Sequence, residues 1–124
     1  MSKKKILIVE DESALNQALG EFLTAENFEV ISALDGAEGA KIAIAKRPDL
    51  ILLDIILPKK DGYEVLDELK SNDSTKDIPV ILLTNLESAQ DIQKAFEKGA
   101  TTYLVKSSYK MQDVVKKIKE TLKM

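Results

Sequence analysis

The chain has 124 residues, 18 Lys and Arg against 21 Asp and Glu, a net charge of −3, and neither cysteine nor histidine. That length suits one domain with a real core, and the slightly acidic balance argues against a general nucleic-acid binder, which carries a basic footprint. Without Cys or His the chain has no disulfide, no thiolate or imidazole zinc site, and no Ser-His-Asp or Cys-His catalysis. The basic start, Met1 to Lys5, runs into four apolar residues before Glu10, which reads as a first strand and not as a signal peptide. No apolar run reaches the roughly 18 residues of a membrane span, so neither membrane nor direct nucleic-acid contact is expected, and the location expected is cytoplasmic.

In chain order, the first predicted strand is Lys5–Val9. A helix follows with Leu15, Ala18, Leu19, Phe22 and Leu23 at three-to-four spacing. The second strand, Glu29–Ala33, is more polar and suits an edge. Asp35 with Glu38 forms a capping-box pair before a helix carrying Ala37, Ala40, Ala43 and Ile44. Leu50–Leu53 is apolar throughout, as in a parallel strand covered on both faces. Asp61 and Glu64 repeat the capping pattern before a helix with Val65, Leu66 and Leu69. Pro79–Leu83 is the fourth strand, followed by a helix with Ile92, Ala95 and Phe96 that ends at Gly99. Thr102–Val105 and a final helix with Met111, Val114, Val115, Ile118 and Leu122 complete the pattern. Strict βα alternation predicts an α/β fold, a parallel sheet sandwiched by helices. No linker, repeat or low-complexity segment divides it, so residues 1–124 read as a single domain, and Lys123-Met124 after the last helix reads as its natural end.

Four strands end on polar residues: Glu10-Asp11, Asp54, Thr84 and Lys106. In an open α/β sheet, ligands bind outside the carboxyl ends of the strands. Each residue has a plain reading beside the chemical one. Asp54 is a turn former, or a nucleophile toward an activated phosphoryl group. Glu10 and Asp11 are solvated loop acids, or two carboxylates that a bend in the chain turns into one crevice. Three carboxylates so close would repel one another unless a cation sat between them, and an all-oxygen site suits Mg²⁺ or Mn²⁺. Thr84 is a cap, or a donor to a phosphoryl oxygen. Lys106, ending a buried strand, needs an anion, because desolvating it unpaired would cost several kcal/mol; a salt bridge to Asp54 would supply one. Tyr103 alone reads as a half-buried packing aromatic.

Together these motifs resemble the receiver domains of two-component response regulators, over essentially the whole chain. The segments that carry the resemblance are Val9-Glu10-Asp11-Glu12, Asp54-Ile55-Ile56-Leu57-Pro58, Asp61-Gly62, Leu82-Leu83-Thr84, Gly99-Ala100 and Tyr103-Leu104-Val105-Lys106. The resemblance implies a flavodoxin-like three-layer sandwich with strand order 2-1-3-4-5. It implies Asp54 as phosphoacceptor, and Mg²⁺ held by Glu10, Asp11, Asp54 and the Ile56 carbonyl. Thr84 and Lys106 would contact the phosphoryl group, and Thr84 with Tyr103 would form the switch. The donor would be a sensor histidine kinase or a histidine phosphotransfer protein, and the output an unidentified protein target. The chain would catalyse its own phosphorylation and slow dephosphorylation and would not turn over an external substrate.

Three features depart from the family pattern. Ser107-Ser108 follows Lys106 where receivers usually carry proline, so a trans bond or a rearranged loop is expected, a cis bond without proline costing roughly 3–4 kcal/mol. Thr101 and Thr102 replace acids that often pair across a dimer, which favours a monomer or weak dimer. Ile56 and Leu86 offer no group to orient a water, which predicts slow self-dephosphorylation. The alternatives are a relay intermediate, a receiver cut from a longer DNA-binding regulator, an aspartyl-phosphate hydrolase, a nucleotide enzyme and a phosphorylation-independent binding module. The hydrolase lacks a second acid after Asp54-Ile55, and the nucleotide enzyme lacks a phosphate loop, Gly36 and Gly39 alone carrying little.

Overall fold

Each apolar run pairs in parallel with its neighbours. In the computed structural model, which describes residues 3–85, 89–106 and 110–124, the elements run β1 (Lys5–Val9), α1 (Ser13–Ala25), β2 (Glu29–Ala33), α2 (Gly36–Lys46), β3 (Leu50–Leu53), α3 (Gly62–Ser71), β4 (Val80–Thr84), α4 (Ala89–Glu97), β5 (Thr102–Val105) and α5 (Met111–Leu122). The sheet order is β2-β1-β3-β4-β5, the flavodoxin-like arrangement. Its strand order reverses between β1 and β3, where such sheets open a crevice at their carboxyl ends.

The two-residue period of the strands divides the core. Leu7, Val9, Ile51, Leu53, Val80 and Leu82 face one layer with Ala43, Val65, Leu66, Leu69 and Ala95. Ile6, Ile8, Leu50, Leu52, Ile81 and Leu83 face the other with Leu19, Leu23, Val114, Val115 and Ile118. Covered on both sides, β3 and β4 are buried at every position and β1 at every position after Lys5, as their unbroken apolar runs predict.

The expected elements differ from the observed ones in a few places. The fourth strand begins at Val80 and runs through Thr84; Pro79 has no N–H to give a ladder, although its carbonyl accepts from Ile51 N–H at 3.0 Å. Asp35 and Asp61 do cap α2 and α3, accepting from the backbone N–H of Glu38 at 2.7 Å and Glu64 at 3.0 Å. Ala18 and Ala37 face solvent, and Gly36 and Gly39 are buried within α2 with Ala40 and Ala43. These four buried small residues form the packing face of α2, which accounts for the two glycines without a phosphate loop. Gly99 follows α4 at φ +110° as expected.

Gly62 joins the fold to the crevice. Its N–H donates to Ile55 O at 2.7 Å, and a Cβ there would lie 2.5 Å from Ile55 Cα and 2.7 Å from Asp54 O. Both are backbone atoms, which cannot swing aside. We expect Gly62→Ala to destabilise the fold by about 1–3 kcal/mol despite alanine's better helix propensity. The readout is a lower urea midpoint at unchanged m-value; a midpoint at or above wild type would refute this.

Candidate functional site

Continuing each strand's alternation by one step places Glu10 after Ile8, Asp54 after Leu52 and Lys106 after Leu104, all on the sheet face covered by α1 and α5. The three side chains meet. Lys106 Nζ lies 2.7 Å from Asp54 Oδ2 and 2.5 Å from Glu10 Oε1. Glu10 and Asp54 are 1% and 4% exposed, so their charges are compensated by this ammonium rather than by water.

The backbone of the crevice is pinned as well. Asp54 N–H donates to Val9 O at 3.0 Å and Glu10 N–H to Ala33 O at 3.1 Å. Glu10 Oε2 accepts from Glu12 N–H at 3.0 Å, and Asp54 Oδ1 from Ile56 N–H at 3.3 Å. Burial pushes the Glu10 carboxyl above its ordinary value, reinforced by the nearby Asp54 charge and opposed by Lys106 and the Glu12 N–H. Burial would lower the Lys106 ammonium, but its bonds to Asp54 and Glu10 hold it above the usual lysine value.

Asp11 is exposed and completes the acidic set. One carboxylate oxygen each from Glu10, Asp11 and Asp54 lies within 4.8 Å of the others. Three carboxylates against one ammonium leave an excess of negative charge. Glu10 Oε1 is buried and, apart from its charge contact with Lys106, has no hydrogen bond of good geometry. Hard oxygen donors, excess negative charge and a cavity of about 220 Å³ lined by Asp11, Asp54, Ile56, Asn85 and Lys106 fit a divalent cation.

Thr84 is fully buried at the end of β4, and its carbonyl accepts from Lys106 N–H at 2.9 Å. It stands outside the cavity lining, two residues beyond Leu82 and so on the sheet face of α4. Tyr103, paired with Leu82 in the ladder, packs on that same face and meets Phe96 edge-on, with ring centroids 5.9 Å apart. Leu86 and the Lys106–Ser107 bond lie outside the described residues. Of the two threonines that replace acids, Thr101 accepts from Val80 N–H at 3.2 Å and so is engaged within the fold.

Two residues escape the sequence reading. Asn85 lines the cavity, and its signal is its place directly after the polar end of a strand. Asn16 is 2% exposed, and its signal is a carboxamide beside the apolar face of α1.

The response regulator receiver domain family matches residues 6–119. The transcriptional regulator RpaA of Synechocystis is 35% identical over 96% of this chain, which spans 49% of that protein; the chain thus covers about half the length of the curated relative. The structure of the phosphorylated cyanobacterial phytochrome response regulator RcpA is 38% identical with a TM-score of 0.82, covering 96% of this chain and 93% of that one. The receiver domain of the sensor histidine kinase PA1611 from Pseudomonas aeruginosa, with magnesium coordinated in its active-site cleft, is 25% identical with a TM-score of 0.90, covering 99% of this chain and 100% of that one. A family match across nearly every residue agrees with the charge arrangement at the strand ends: the chain belongs to the response regulator receiver domain family.

Proposed function

We propose that Asp54 is the phosphoacceptor and that Lys106, Thr84 and the acids Glu10 and Asp11 serve its phosphorylation. The observation that carries this reading is the Lys106 ammonium held against Asp54 Oδ2 at the edge of an acidic cavity. An Asp54 carboxylate oxygen attacks the phosphorus of a phosphohistidine on a partner kinase or phosphotransfer protein. The P–O bond forms as the P–N bond breaks, and the imidazole leaves with the electron pair and takes a proton. The product is an aspartyl phosphate, a mixed anhydride. The reverse transfer to a histidine phosphotransfer protein would use the same atoms.

Glu10, Asp11, Asp54 and the Ile56 carbonyl are the groups that would hold Mg²⁺, or Mn²⁺, which when bound supplies neutralising positive charge beside the transferring phosphoryl group. Lys106 holds the acceptor in place before transfer, and its ammonium can follow the charge onto a phosphoryl oxygen. The Thr84 hydroxyl is the proposed second donor. The magnesium in the PA1611 cleft and the phosphorylated state of RcpA support this reading.

The output follows from packing. Among the described residues, Ala95 is the one that α4 buries completely. The helix is further held by Tyr63, whose hydroxyl donates to Asp91 O at 3.1 Å and whose ring lies 4.3 Å from Lys94 Nζ, and by the Phe96–Tyr103 contact. Thr84 and Tyr103 share the α4 face, so a Thr84 drawn toward a phosphoryl group leaves space that Tyr103 can fill. The surface of α4, β5 and α5 then changes for a protein target.

Incubation with acetyl phosphate should add one phosphoryl group by intact mass, only with Mg²⁺ or Mn²⁺ present, and Asp54→Asn should abolish the adduct. An unchanged wild-type mass, with folded protein and bound metal, would overturn the reading. Ile56, 64% exposed on the cavity rim, leaves a hydrolytic water unaligned. Ile56→Asn should shorten the adduct's lifetime severalfold in a time course of intact mass. In a beryllofluoride complex the Tyr103 ring should leave Phe96, which NMR ring contacts would report; an unmoved ring would remove Tyr103 from the switch.

A further inference from the structure

Adjacent residues of an extended strand face opposite sides of a sheet, yet Glu10 and Asp11 both bring a carboxylate to one site. The chain therefore has to leave strand geometry between them, and something has to hold it there. In the parallel β1–β2 ladder Val9 stands opposite Ala33. Glu10 N–H still donates to Ala33 O at 3.1 Å. A continued parallel ladder would next give the Glu10 carbonyl the N–H of Asp35. That rung is replaced. The carboxamide of Asn16 donates to Glu10 O and to Ala33 O, both at 3.0 Å.

We propose that Asn16 is a positioning residue: by taking over the Glu10 carbonyl from the β1–β2 ladder, it sets the bend that turns Asp11 toward Glu10 and Asp54 for cation binding. Asn16 sits in the first turns of α1, and its own N–H donates to Glu12 O at 2.9 Å. Glu12 precedes that helix without a side-chain cap and donates its N–H to Glu10 Oε2. Residues 10–12 are thus held from the Glu10 carboxylate through Glu12 and from the Glu10 carbonyl through Asn16. The carboxamide is buried against the Glu10 carbonyl, and with an apolar side chain in its place that carbonyl loses its donor and is free to return to the ladder. That return would swing Asp11 away from the acidic set. Asn16 is not among the residues that line the cavity, and its carboxamide bonds to Glu10 O and Ala33 O, so its effect passes through Glu10 and Asp11.

The inference rests on the proposed cation site, and the experiment separates the two. Mn²⁺ would be titrated into the full chain, with free Mn²⁺ followed by electron paramagnetic resonance, for wild type, Asn16→Leu, Asn16→Ser and Thr75→Val. Thr75 is a control for plain destabilisation, its buried hydroxyl donating to Leu69 O at 2.7 Å after α3. All four would be assayed under conditions where circular dichroism shows them folded. Asn16→Leu should weaken Mn²⁺ binding by about tenfold, as loss of a group orienting a metal ligand typically does. Asn16→Ser, which keeps one shorter donor, should fall between, and Thr75→Val should match wild type. Should Asn16→Leu fail to fold, Asn16→Ser carries the test by itself. Wild-type affinity in a folded Asn16 variant, or an equal loss in Thr75→Val, would overturn the role of Asn16 and leave the cation site standing. A wild-type chain that binds no Mn²⁺ would overturn the site and this role together.

Discussion

One ammonium group shared by two buried carboxylates organises the functional end of this molecule. Lys106 directly follows the last strand of the chain, β5, and reaches Asp54, just after β3, and Glu10, just after β1. A lysine this enclosed would be costly without anions, and the two acids would be costly without a cation. Each makes the others tenable. Asp11 adds a third negative charge that Lys106 does not meet, and this excess of negative charge supports the proposed cation site and the proposed phosphoryl transfer to Asp54.

The same sheet puts the proposed chemistry and the proposed readout on opposite faces. Its α1–α5 face carries Glu10, Asp54 and Lys106, while its other face carries Tyr103 and the Thr84 position beneath α4. Thr84 and Lys106 are joined by one backbone hydrogen bond between β4 and β5, so a change felt at either is felt by both strands. Helix α4 has a small buried anchor in Ala95 and side-chain contacts to Tyr63 and Tyr103 at its two halves. A helix held in this way is suited to adopt a second position, since little core packing has to be broken.

Much of this was legible in the residues. Unbroken apolar runs at Leu50–Leu53 and Val80–Leu83 could belong to parallel strands buried on both faces, and the helical spacing between runs required crossovers. The polar residues that end those runs then had to share one edge. Less legible was which small residues pack: Ala18 and Ala37 fit the apolar stripe yet face solvent, while Gly36 and Gly39 are buried. Apolar periodicity weights side-chain hydrophobicity and is nearly blind to close backbone approach. The strand boundary at Pro79 shifted for a backbone reason as well, the missing N–H of proline.

What the sequence determined by itself was the α/β alternation, the strand order through its resemblance to receivers, and the identity of the acids and the lysine at the strand ends. These follow from local pattern, because burial on two faces and chemistry at a strand terminus both leave marks along the chain. Only the tertiary structure decided the partners: that Lys106 bridges Glu10 and Asp54, that Tyr103 rests against Phe96, and that a carboxamide six residues after Glu10 donates to its carbonyl. Hydrogen bonds and ion pairs depend on distances and directions between elements, and those are fixed by how the helices pack on the sheet.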